Sequence, residues 1–145
     1  MNGTFLGFDF GTKRLGIAVG QSITKTARPL VTLQVNNGVP RWEELERFIN
    51  EWQPIGLIVG LAMQPDGSHS PTSKKALKLG QSLEAHFKIP VYYIEERLTS
   101  VAAHNFIKER TPTSRFGGDK DAIAAAIILE SWLDNNPKEM IDAPI

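Results

Sequence analysis

The 145-residue chain contains no cysteine. That excludes a disulfide, a thiolate zinc site and a cysteine nucleophile. No apolar run is long enough to form a membrane-spanning helix, and the N-terminus lacks the basic-then-apolar pattern of a secretory signal. These two absences predict a cytoplasmic protein with no membrane partner. There is no net charge either, with 16 basic residues against 16 acidic ones. Any grip on nucleic acid must then come from a local basic patch, because there is no global field. Internal repeats and low-complexity segments are also missing.

What remains is a composition suited to a packed core, 41% hydrophobic with interspersed charges. At this length a single domain over 1–137 is expected, with 138–145 as a flexible tail. The most telling residue is Asp9. It lies inside Thr4-Phe5-Leu6-Gly7-Phe8-Asp9-Phe10-Gly11-Thr12, where the flanking residues read as a buried strand. A carboxylate in such a place costs several kcal/mol unless it is paired, hydrogen-bonded or bound to a cation.

The periodicity predicts strands over Phe5–Phe10, Leu15–Gly20 and Leu30–Val35, the first two close enough for an antiparallel hairpin. Pro40 suits a helical first turn, and Trp42, Leu45, Phe48, Ile49 and Trp52 form one apolar face of a helix ending before Pro54. Ile55–Gly60 is continuously apolar, as a central strand buried on both faces should be. A loop from Ala62 to Ser70 leads to a helix over Thr72–Phe87. Pro90 introduces a fifth strand, Val91–Ile94. Thr99 or Ser100 can cap a third helix reaching Arg110. Thr111–Gly118 reads as a mobile polar loop before a last helix, Lys120–Leu133.

Three strands in a meander followed by two parallel additions make a mixed five-stranded sheet with helices on its faces. That is the order of a ribonuclease H-like α/β fold, although periodicity alone permits other three-layer α/β arrangements. In the usual strand order for that fold, strand five is separated from strand one by strand four, a gap of roughly 10 Å.

Acids from three elements are then expected at one end of the sheet: Asp9 in strand one, Glu95 and Glu96 at the end of strand five, and Asp121 in the first turn of the last helix. Clustered carboxylates resist ionising together, and divalent cations resolve that conflict. Mg²⁺ or Mn²⁺ takes hard oxygen ligands. Two such ions roughly 4 Å apart can activate a water and stabilise the leaving oxygen of a phosphodiester. For Glu96 to join Asp9, the segment after Ile94 must curl inward, and Asp66 is the reserve candidate should it not.

At these residues the chain resembles the YqgF (RuvX) family, regarded both as Holliday junction resolvases and as nucleases of the small-subunit ribosomal RNA precursor. The resemblance spans nearly the whole chain. It rests on Phe8-Asp9-Phe10-Gly11-Thr12-Lys13, Gly16-Ile17-Ala18-Val19-Gly20, Thr26-Ala27-Arg28-Pro29-Leu30, Ile58-Val59-Gly60-Leu61, Glu96-Arg97-Leu98-Thr99-Ser100 and Asp121-Ala122 through Leu129. The resemblance implies Asp9, Glu96 and Asp121 as catalytic metal ligands. Where the family usually has Asp-Glu-Arg-Leu, this chain has Glu95 before Glu96.

The expected activity is therefore a metal-dependent nuclease, a hydrolase of phosphodiester bonds in 5′-end processing of the pre-16S rRNA. A Holliday junction resolvase acting in recombination is the alternative, and a non-catalytic ribosome assembly factor a further one. The partner is nucleic acid, either structured RNA or branched DNA. Thr12, Lys13, Arg14, Arg97, Arg115 and Lys120 are the candidate phosphate-holding residues, with Thr12 and Lys13 offering backbone N–H groups. For any one of them, ordinary solvated surface is the plainer reading. Asp9-Phe10-Gly11-Thr12 also resembles the first phosphate motif of actin-like ATPases, but those need a second domain to close over the nucleotide. His69 is a weak candidate proton carrier, and His86 and His104 read as helix surface.

Overall fold

A computed structural model describes residues 2–110 and 120–135. The expected loop Thr111–Gly118, with Arg115 in it, and the tail 138–145 lie outside the described residues. The elements run β1 (Thr4–Phe10), β2 (Arg14–Gln21), β3 (Thr26–Gln34), α1 (Trp42–Trp52), β4 (Gly56–Leu61), α2 (Pro71–Phe87), β5 (Val91–Glu95), a 3₁₀ turn (Glu96–Leu98), α3 (Val101–Arg110) and α4 (Lys120–Asn135). No described helix is long and apolar enough to cross a membrane.

The five strands form one sheet in the order β3-β2-β1-β4-β5. β2 is antiparallel to both β1 and β3, whereas β4 is parallel to both β1 and β5. This is the mixed ribonuclease H-like sheet expected from the element order, with β4 standing between β1 and β5.

The period of two along β1 divides its side chains between two cores. Leu6, Phe8 and Phe10 join Leu45 of α1 and Ala76, Leu79 and Leu83 of α2 on one face. Phe5 points the other way, into a core with Ala103 and Ile107 of α3 and Ala125, Ile128, Leu129 and Leu133 of α4. Asp9 follows the parity of Phe5 and so faces α4. Fully burying one such Ile or Leu side chain contributes about 1.5–3 kcal/mol. The buried stretch of α4, Ala125 to Leu133, therefore ties that helix firmly across the sheet.

α4 can lie so close because β1 and β2 present glycines to it. A Cβ on Gly7 would come 2.7 Å from that of Leu129, and one on Gly16 would overlap the Asp121 carbonyl.

Several element ends shift by a residue or two from the sequence expectation, and three differences matter more. β3 begins at Thr26 rather than Leu30, and runs through Pro29. Proline is tolerated there because β3 is an edge strand, and the pairing shifts beside it: Ile17 pairs with Val31 and Ala18 with Pro29, so Leu30 of β3 is the extra residue of a bulge. α1 begins at Trp42 because Arg41 is still extended, with φ −80° and ψ 114°. β5 passes directly into the 3₁₀ turn Glu96–Leu98, a link that periodicity did not reveal.

Candidate active site

Asp9 stands one residue from the end of β1 and pairs in register with Gly16 of β2. The first turn of α4 rests on that glycine, which brings Asp121 beside Asp9. Glu96 arrives from the opposite side. Its 3₁₀ turn curls the chain inward after β5, and its side chain crosses β4 at Gly60. A Cβ on Gly60 would lie 3.2 Å from Cγ of Glu96. The missing side chain leaves the passage open.

The two acids meet in a hydrogen bond, with the Asp9 carboxyl donating to the Glu96 carboxylate. Burial pushes Asp9 up to about 7, and the charges of Glu96 and Asp121 and the bond to Glu96 add to this. Burial also raises Glu96, against the opposing effect of the hydrogen bond it accepts. A carboxyl titrating near neutrality can hold or release a proton at working pH.

Asp121 is near enough for its charge to be felt at Asp9, but its own partner is Arg14, whose Nε lies 2.7 Å from Oδ2. Among the described residues no three His, Asp or Glu side chains converge as a ready metal cage. The three acids instead form a hydrogen-bonded pair with a third carboxylate alongside, held by a guanidinium. All are hard oxygen donors with surplus negative charge between them. That donor set suits Mg²⁺ or Mn²⁺ and offers nothing to a soft metal.

The turn carrying Glu96 is held from several directions. The Thr99 hydroxyl donates to the Glu96 carbonyl at 2.9 Å, and Thr99 N–H donates to the same oxygen at 3.2 Å. His104 Nε2 lies 3.0 Å from Thr99 Oγ1. Ser100 caps α3 by accepting from Ala103 N–H at 2.9 Å, while its own N–H donates to Ser131 of α4 at 3.0 Å. His104 is thus half-buried and engaged, not the plain helix-surface residue expected. The five-residue interval from Thr99 to His104 spans a cap and a helical turn, and nothing in a periodicity marks it.

The remaining candidates separate clearly. Glu95 pairs with Arg97 at 2.6 Å, and the Arg97 guanidinium extends toward Gly67 in the loop after β4. Asp66 is occupied within its own turn. Its Oδ1 accepts from Ser68 N–H at 2.9 Å and from the Ser68 hydroxyl at 2.6 Å, and these bonds lower its pKa. The reserve role for Asp66 is therefore not needed. His69 Nδ1 bonds to the hydroxyl of Ser73 at 3.0 Å, at the start of α2.

Gly11, Thr12, Lys13 and Arg14 line a hollow of about 220 Å³ whose far wall is Asp121. The carbonyls of Thr12 and Lys13 accept from Gly38 and Val35, whereas their N–H groups have no acceptor among the described residues. Lys120 is exposed at the start of α4, next to Asp121.

Comparison with known proteins bears on the family and the fold. A relative from Haemophilus ducreyi, named "Putative pre-16S rRNA nuclease", is 47% identical over 135 residues, covering 92% of this chain and 98% of that one. A Pseudomonas paraeruginosa protein of the same name is 45% identical over 136 residues, 91% of this chain and 92% of that one. Among solved structures, Thermus thermophilus RuvC superposes with a TM-score of 0.54 at 14% identity, covering 97% of both chains. At that identity the likeness concerns the fold. A family model described as "RuvX: Holliday junction resolvase" matches residues 3–135. With nearly the whole chain matched, and relatives this similar along their length, the chain belongs to the RuvX family.

Proposed function

We propose that this protein is a metal-dependent nuclease that hydrolyses phosphodiester bonds in 5′-end processing of the pre-16S rRNA, in the cytoplasm. The observation that carries the reading is the Asp9–Glu96 pair, a shared proton between two half-buried carboxylates with Asp121 beside them. A structural pair would be cheaper as two apolar residues. The names of the two relatives supply the substrate.

In this reading Asp9, Glu96 and Asp121 hold one or two Mg²⁺ or Mn²⁺ ions. When bound, such ions polarise the phosphoryl oxygen and stabilise charge on the leaving oxygen. The chain's own residues do the rest. Asp9 gives up the proton it shares with Glu96. Arg14 is freed from Asp121 to pair with a phosphate flanking the cut. The unpaired N–H groups of Thr12 and Lys13 orient that phosphate, with Lys13 and Lys120 adding charge at the same end. Arg97 pairs with Glu95 and lies against the loop after β4 at Gly67. Arg115 remains a substrate-binding candidate on sequence grounds alone.

A second reading, a resolvase acting on branched DNA, is favoured by the description of the family model. One experiment addresses both. Precursor ribosomal RNA and a four-way DNA junction are incubated side by side with Mg²⁺ or Mn²⁺, and the cut sites are mapped. Cleavage of the RNA at the mature 5′ end supports the first reading, and paired cuts in the junction support the second. If Asp9→Asn cuts as fast as the unaltered protein, the site assignment is wrong.

A further inference from the structure

Beside the acid pair lies a second hollow, of about 150 Å³, lined by Glu96, Thr99, His104, Ala124, Ile127 and Ile128. We infer that it is a subsite for one unstacked nucleobase of the substrate, next to the phosphate to be cut; the inference rests on the nuclease reading above.

Three features support this. The first is position, since Glu96 belongs both to this hollow and to the acid pair. A strand with a phosphate at the acids has its adjoining base within reach. The second is size. Pockets for drug-sized ligands measure roughly 300–1,000 Å³, so half the lower bound suits a single flat ring system rather than a whole nucleotide.

The third is chemistry. Ala124, Ile127 and Ile128 offer an apolar wall to a ring face, while Thr99 and His104 supply the polar side. Thr99 has one hydroxyl proton, and it goes to the Glu96 carbonyl. Thr99 Oγ1 must then accept from His104 Nε2–H. In a neutral imidazole that arrangement leaves Nδ1 as an acceptor, with no partner among the described residues. The site therefore favours a base presenting an N–H donor. Bases taken out of the stack are read in this manner, by hydrogen bonds at one edge and apolar contact on the faces.

The test uses the full chain and RNA oligonucleotides spanning the mature 5′ end, each carrying one abasic position. Binding is measured by fluorescence anisotropy in EDTA, for the unaltered protein and for Ala124→Leu. Ala124 is only half-buried, so leucine fills the hollow without disturbing the Glu96–Thr99–His104 chain. One abasic position is expected to weaken binding by the unaltered protein about tenfold. The same position should have no effect on Ala124→Leu. His104→Ala should keep the preference for a base there but lose the discrimination between bases with and without an N–H donor.

A flat profile, an unmeasurable affinity, or an identical profile in Ala124→Leu overturns the subsite. Cleavage of the unmodified oligonucleotide with Mg²⁺ or Mn²⁺ is read in parallel. A protein that shows the profile without cutting keeps the subsite and loses the nuclease reading. One that cuts with a flat profile does the reverse.

Discussion

Glu96 reaches Asp9 across Gly60. β4 separates the strand that carries Asp9 from the strand that leads to Glu96, and Gly60 is the β4 residue on the face they share. Cγ of Glu96 sits 3.2 Å from the point where a Gly60 side chain would begin. The acid pair therefore depends on an absent methyl group as much as on the two carboxyls.

Gly60→Ala is accordingly expected to cost about 1–3 kcal/mol of stability, the usual range for adding volume to a packed site. The added Cβ would meet the Ile128 side chain at 2.5 Å as well as Glu96. Ile128, buried in the core, must shift the most, and Glu96 must give by a few tenths of an ångström, which loosens its bond to Asp9. Thermal melts and cleavage rates on the same sample check this: cleavage per folded molecule should fall as well as the melting temperature.

Asp9 makes the metal-free protein less stable as pH rises. Its folded pKa of about 7 exceeds the ordinary 3.8, so between those values the folded state binds more protons than the unfolded one. Stability then falls with pH across that window. The Asp9→Asn variant should melt higher than the unaltered protein at pH 8 and show a flatter profile from pH 4 to 7, while losing cleavage. Circular dichroism melts over that range are sufficient.

Divalent metal should bind with release of a proton. Ligation needs the ionised carboxylates, and Asp9 holds its proton until about pH 7. Mn²⁺ affinity measured by calorimetry should increase from pH 6 to pH 8. The apparent heat should vary with the buffer's ionisation enthalpy, and both effects should vanish in Asp9→Asn.

Arg14 competes for Asp121. The pair is close, but Arg14 is 64% exposed, so its loss should cost under about 1 kcal/mol. Arg14→Gln is expected to leave the melting temperature nearly unchanged, to tighten Mn²⁺ binding several-fold, and to weaken RNA binding with a shallower salt dependence. Tighter metal binding with unchanged RNA affinity would remove Arg14 from the substrate site.

Glu130 is a structural acid, in contrast to Asp9. Its side chain is 5% exposed and accepts from Arg110 at 2.6 Å and from Ala27 N–H at 2.8 Å. Arg110 also donates to the Ala27 carbonyl at 3.3 Å. Arg110→Ala strands a buried carboxylate and should destabilise the fold by about 3–5 kcal/mol. Turnover per folded molecule should hold, because the anchor secures the start of β3 rather than the acids.

Much of this molecule was legible in the chain, and the limits have physical causes. Local patterns marked the strands and helices because burial repeats every two or three to four residues. β3 was read four residues short because its alternation is plain only from Leu30, and a strand running through Pro29 is possible only at a sheet edge, which is a tertiary fact. The engagement of Thr99 and His104 was invisible, since it joins a cap residue to a helix side chain through a single hydroxyl. The capture of Asp66 by Ser68 could have been suspected from an Asp-Gly-Ser turn, where a short acid commonly accepts from the residue two positions on.

Sequence alone was enough to single out Asp9, because a charge inside a strand of alternating apolar residues is a local anomaly whose cost can be judged without coordinates. It also marked Glu96 and Asp121 as the other acids to consider. Whether the three could act together was a tertiary question. The answer lay in positions with no side chain: Gly16, where the Asp121 backbone settles on the sheet, and Gly60, over which Glu96 passes. A glycine in a sequence tells only that a side chain is missing. What fills the space depends on which element packs there, and that is decided by the fold.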